Sequence, residues 1–185
     1  YLSFVGRLVE KKGVAYLIAA MDEIRQKHPD LGLVIIGSGP LRAELEDQAG
    51  RLGLADRVEF VGAQPHEQVI RYLRGARLAV VPSVIDSRGE TEGMPTVVIE
   101  MMAAGLPVVG SDVDGIPDVI EHERNGWLAR PGDPDDLAAA IVLALDNQDP
   151  GVLSSARETA AAHDWGEVAQ RYLAYLREPP KGQEA

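Results

Sequence analysis

Two hydrophobic patterns alternate along this chain. Short apolar runs at residues 2–5, 33–36, 58–61, 78–81 and 108–110, with a sixth at 126–128, are rich in valine and isoleucine and too brief for helices. Such runs read as strands buried on both faces, the mark of a parallel sheet. Between them apolar residues recur at helical spacing: Val14, Leu17, Ile18, Met21 and Ile24 before His28-Pro29, then residues 41–52, then Val69, Ile70 and Leu73. Residues 95–104 read as a short helix, with Pro95 at its first position and Gly105 just past its end. Asp133 caps and Pro134 starts a helix whose inner face is Leu137, Ile141 and Leu145; further helices are predicted at 152–162 and 165–177. Pro40 is predicted to open the second helix.

From residue 2 to residue 110 strand and helix alternate, which makes each of those helices a crossover between parallel strands. The predicted fold is α/β, a doubly wound, Rossmann-like parallel sheet of about six strands with C-terminal helices. Residues 1–178 form one domain, and 179–185, rich in proline and charge, form a flexible tail. Starting within strand-like sequence at Tyr1-Leu2-Ser3, the chain reads as a piece of something longer. In an open α/β sheet, ligands bind beyond the carboxyl ends of the strands, where helix N-termini turn free N–H groups and partial positive charge outward. The loops after each strand are therefore where chemistry is expected.

Charge narrows the partners. A net charge of −11 argues against nucleic acid, which needs a basic surface. With no cysteine the chain has no disulfide framework and no thiolate chemistry. No apolar run reaches the roughly 18 residues of a membrane span.

The stretch Glu92-Gly-Met-Pro-Thr-Val-Val-Ile-Glu100 carries the most specific signal. Glu92 lies in a loop and Glu100 one turn inside the helix, so two carboxylates approach one ligand at different depths. With Ala103, Gly105 and Pro107-Val-Val109 it resembles the E-x7-E signature of family 4 glycosyltransferases of the GT-B fold. A second segment, Gly6-Arg7-Leu8-Val9-Glu10-Lys11-Lys12-Gly13, resembles the same family's G-R-x(4)-K-G loop. Read without the resemblance, Glu92 and Glu100 are ordinary solvated glutamates, and Arg7 and Lys12 ordinary loop cations.

The resemblance covers residues 1 to about 177 and implies the C-terminal, donor-binding half of a retaining, metal-independent hexosyltransferase, with the N-terminal acceptor-binding half missing. It implies no cofactor, only a nucleotide diphosphate sugar as substrate. Arg7 and Lys12 would meet the diphosphate, Glu92 the transferred sugar and Glu100 the ribose hydroxyls. Gly6, Gly93, Met94, Pro95 and Thr96 would line the phosphate and sugar, and Gly37 and Gly39 of the Gly37-Ser-Gly-Pro40 turn would line the cleft by close backbone approach. Ala63 and Gln64 would pass beside the base. The resemblance further implies a cytoplasmic protein whose contact with the inner face of the membrane, if any, runs through the missing half, and exopolysaccharide or glycolipid synthesis as its setting.

Other features compete with this reading. Asp86, Arg88 and Glu90 lie in a polar loop that either tunes donor or acceptor choice or is a mobile, solvated loop. His66 reads as a helix-start residue in water, and without a second histidine at ligand spacing zinc is not expected. Asp112 and Asp114 form a D-x-D, which in the GT-A fold binds a divalent metal. Here Gly115-Ile116-Pro117-Asp118 sits where the resembling family has G-G-x-P-E, which favours a turn; Asp114 replaces the first glycine and Asp118 the glutamate. A regulatory nucleotide-binding module, or a receiver-like signalling domain, fits the fold class as well.

Overall fold

The parallel sheet expected from the apolar runs is present in the computed structural model, which describes residues 1–91, 93, 96–147, 149–164 and 166. Its strands are β1 (Leu2–Val5), β2 (Leu33–Ile36), β3 (Val58–Gly62), β4 (Leu78–Val81), β5 (Val108–Ser111) and β6 (Trp127–Ala129). All five pairings are parallel and the order is β3-β2-β1-β4-β5-β6. The helices are α1 (Val14–Lys27), α2 (Arg42–Arg51), α3 (His66–Gly75), α4 (Thr96–Ala103), α5 (Pro134–Asp146) and α6 (Pro150–Ala162). Apart from Gly166, the helix expected at 165–177 and the tail at 179–185 lie outside the described residues.

Alternate strand residues feed two cores. Leu78 and Val80 of β4, with Leu2 and Phe4 of β1, pack beneath α1, α2 and α5. Ala79 and Val81 pack on the other face with Leu73 of α3, Val98, Met101 and Met102 of α4, and Ala156 and Ala160 of α6. Burial on both sides explains why these strands read as unbroken apolar runs and not as alternating ones.

Element ends follow their caps. Asp133 accepts a hydrogen bond from the Asp136 N–H at 3.0 Å, as expected of the cap of α5. Gly105 closes α4: its N–H donates to Met102 O and that of Leu106 to Met101 O, at 3.0 and 3.1 Å, with Gly105 at φ 79°. Two predictions need correction. Pro40 does not open α2 but lies in the turn before it, because Leu41 donates its N–H to Leu8 O at 3.2 Å, which ties this end of the loop after β2 to the loop after β1. The last described helix starts at Pro150 rather than 152, capped by Asp149, whose carboxylate accepts from the Gly151 N–H at 2.8 Å.

The α1–α5 contact tests the core directly. Ile141 of α5 is fully buried, whereas Leu143, on the outer side of the same helix, is 40% exposed. Ile141→Ala should cost about 2–5 kcal/mol in chemical denaturation, and Leu143→Ala within about 0.5 kcal/mol of zero. Equal losses would mean that α5 does not seal this face.

Candidate functional site

From β1 the chain winds outward through β2 to β3, and from β4 it winds the other way through β5 to β6. Adjacent strands whose connections diverge leave a crevice at their carboxyl ends, the usual ligand position of a doubly wound sheet. Two loops meet there: residues 6–13 after β1, which include a 3-10 turn (Glu10–Lys12), and residues 82–91 after β4.

The two loops bond to each other. The Val84 N–H donates to Lys11 O at 2.9 Å, and Lys11 Nζ donates to Thr91 O at 3.3 Å. Glu10 accepts the Ser87 N–H at 2.9 Å and the Ser87 hydroxyl at 2.7 Å. At their base the fit is tight: Gly13 has φ 65°, and a Cβ there would stand 1.7 Å from the Pro82 carbonyl oxygen. Any other residue would drive the loops apart.

Most of the predicted site residues that are described gather at this edge. Gly6 ends β1 and donates its N–H to Ile36 O at 3.0 Å. Arg7 is exposed and makes no side-chain hydrogen bond or ion pair with the described residues. Lys12 is half-buried, its stem lying over Gly6. Gly37 donates to Gly62 O at 2.9 Å, and Leu8 donates to Ser38 O at 3.0 Å. The Gly37–Gly39 turn is thus tied by backbone to the first loop and offers no side chain but Ser38. Ala63 is exposed, but Gln64 uses its Nε2 on Val61 O at 2.8 Å, so its amide nitrogen braces its own turn. Gly93, Thr96 and Glu100 are exposed, Glu100 one turn into α4. Glu92, Met94 and Pro95 lie outside the described residues.

The loop of residues 84–91 has internal order that charge alone did not reveal. Asp86, its side chain only 2% exposed, accepts the N–H groups of Arg88 and Glu90, each at 2.9 Å, and pairs with the Arg88 guanidinium at 3.3 Å. Its backbone closes the turn, with Gly89 N–H to Asp86 O at 2.9 Å. Burial opposes its charge, but the bonds from Glu90 and Arg88 outweigh that and hold the carboxyl below the usual aspartate value. Aspartate first and glycine fourth in Asp86-Ser-Arg-Gly89 is a type I turn signature that the chain does display. Asp86 is thus a structural part of the loop.

The D-x-D pair is likewise built into a turn. Asp114 takes a left-handed backbone at φ 52°, which explains a glycine at that place in the motif, and its carboxylate accepts the Thr91 hydroxyl. Asp112, Asp118 and His66 are exposed. Among the described residues, no three His, Asp or Glu side chains stand close enough to share a metal ion. No helix of the described residues is long and apolar enough to cross a membrane. A shallow groove at the opposite edge of the sheet, beside Tyr1 and Asp56–Glu59, collects none of the predicted residues.

Comparison with known proteins identifies the family and the fold. The family described as glycosyl transferases group 1 matches residues 1–170. The amylovoran biosynthesis glycosyltransferase AmsK of Erwinia amylovora is 39% identical over 177 residues, covering 94% of this chain and 43% of that protein. Anabaena HepE, solved in complex with UDP, superposes with a TM-score of 0.83 at 26% identity, over 95% of this chain and 48% of that one. The C-terminal domain of a Francisella tularensis group 1 glycosyl transferase, LpcC, shares the fold, with a TM-score of 0.76 over 88% of this chain and 84% of its own. The chain spans about half the length of the full-length relatives it matches.

Asp86 provides the test of loop order. Because its folded-state value is depressed, its stabilising effect is complete above the ordinary aspartate value and fades only as pH falls below it through the depressed one. The amides of Arg88 and Glu90 should keep their NMR shifts from neutral pH down to the ordinary aspartate range and move only below it. Asp86→Asn should move them at neutral pH. Shifts that titrate at the ordinary value would contradict the assignment.

Proposed function

The chain belongs to the group 1 glycosyl transferases, and on that premise we propose that it is the donor-binding half of a retaining hexosyltransferase that uses a UDP- or GDP-sugar. The observation that carries this reading is the meeting of the Arg7–Lys12 loop with the loop before α4 at the point where the winding reverses. HepE, of the same fold, has been solved with UDP and with UDP-glucose.

The chemistry proposed follows from charge. As the bond from the anomeric carbon to the diphosphate breaks, negative charge grows on the leaving phosphate. Arg7 offers a forked guanidinium and Lys12 a point charge, while the N-terminus of α1 adds partial positive charge. Preorganised positive charge of this kind takes the part a divalent metal plays elsewhere. Ala63 and Gln64 border the base, Glu100 accepts the ribose hydroxyls and Glu92 the hydroxyls of the sugar. The acceptor hydroxyl bonds to the same face of the anomeric carbon and passes its proton to the leaving phosphate, so the mechanism needs no separate base here.

The acceptor is held by the other half of the enzyme. Positioning of that partner is worth roughly 7–11 kcal/mol of barrier, so turnover belongs to the complete protein while donor binding belongs here. The similarity to an amylovoran enzyme makes exopolysaccharide synthesis the favoured setting. In this reading the domain works in the cytoplasm, and contact with the inner face of the membrane is made through the acceptor half.

Calorimetric titration tests the assignment. Glu100→Ala should weaken free UDP or GDP and the corresponding sugar donor alike, by about 1.5–3 kcal/mol, whereas Glu92→Ala should weaken only the sugar-bearing donor. Chelator should leave affinity unchanged and added salt should lower it. Equal losses for both ligands in both variants would contradict the division of roles. Strong tightening by Mn²⁺ that Asp112→Asn abolishes would point instead to a metal at the D-x-D.

A further inference from the structure

We propose that Glu10 is a positioning residue for donor binding, its carboxylate strapping the loop after β4 to the diphosphate loop so that the sugar side of the cleft is ordered before ligand arrives. Both oxygens act on one residue: Oε1 accepts the Ser87 N–H at 2.9 Å and Oε2 the Ser87 hydroxyl at 2.7 Å. A two-point grip fixes orientation as well as distance. Lys11, next in the same turn, holds the loop on either side, through its carbonyl to the Val84 N–H and its ammonium to Thr91 O. Two consecutive residues thus hold the loop near its start, middle and end, while Asp86 stiffens the part between.

A carboxylate beside Arg7 and Lys12 poses an electrostatic question. By charge alone Glu10 opposes a diphosphate, and its removal should tighten binding. The strap makes the opposite prediction, because a loop ordered by the protein need not be ordered by the ligand. Glu10 is exposed, so its exchange leaves the cores intact.

The donor arm rests on the reading above; the loop-order arm does not. The test compares the wild-type chain with Glu10→Ala and Glu10→Gln, the second of which drops the charge but can still grip the Ser87 N–H and hydroxyl. NMR-detected hydrogen exchange without ligand should show the Ser87 amide exchanging faster in the alanine variant and near wild type in the glutamine variant, with melting temperatures equal. UDP-glucose and GDP-mannose serve as donor probes, with free UDP and GDP as controls. Whichever donor binds should bind about fivefold to tenfold more weakly to Glu10→Ala, less so for the free nucleotide, and at least as tightly to Glu10→Gln. Unchanged Ser87 exchange, or equal tightening in both variants, would overturn the strap. If neither sugar donor binds the wild-type chain, the donor reading falls and the exchange data alone decide whether the strap orders the loop.

Discussion

The structure depends on the parallel pairing of β1 with β4, where the winding of the sheet reverses. Leu2 pairs with Leu78 and Ser3 with Ala79, and past Val5 and Val81 the chain leaves the sheet in two loops that have no strand between them. Backbone groups there must still find partners. They find them in each other, through Val84 to Lys11, and in the neighbouring turn, through Leu8 to Ser38 and Leu41 to Leu8. The tight contact of Gly13 with Pro82 sets how close the loops come. A crevice lined by loops that brace one another is preorganised, and preorganisation lets a few charges act strongly on a ligand.

This also reconciles an acidic protein with an anionic ligand. The net charge of −11 describes the whole surface, while the diphosphate is proposed to meet Arg7, Lys12 and the start of α1 at short range. Screening over about 8–10 Å at physiological salt separates the two. The acid of the same loop, Glu10, is occupied by two hydrogen bonds from Ser87.

The sheet was legible in the sequence because burial on both faces leaves an unmistakable apolar run, as at Leu33–Ile36 and Leu78–Val81. Helix ends were legible where a cap is local, as at Asp133 and Gly105. The candidate site was proposed from motifs, and Gly6, Arg7, Gly37 and Glu100 stand at the edge where it was expected. What sequence reading missed is long-range. Pro40 looked like a helix start because its partner loop, reached from Leu41 through Leu8, is distant in the chain. The order of residues 84–91 was not legible because Glu10, which holds Ser87, lies 77 residues away in the chain. The burial of Asp86 was not legible for a different reason: a buried, bonded aspartate has the same letter as a free one, and only the turn spacing to Gly89 hinted at it.

The central claim is that donor binds across the β1–β4 crevice. Hydrogen exchange over the whole chain, with and without saturating UDP-glucose or GDP-mannose, tests it most directly. Added protection should concentrate in residues 6–13, 62–64 and 84–100, with the opposite edge unchanged. Protection centred instead on Tyr1 and Asp56–Glu59, or spread evenly over the cores, would contradict it.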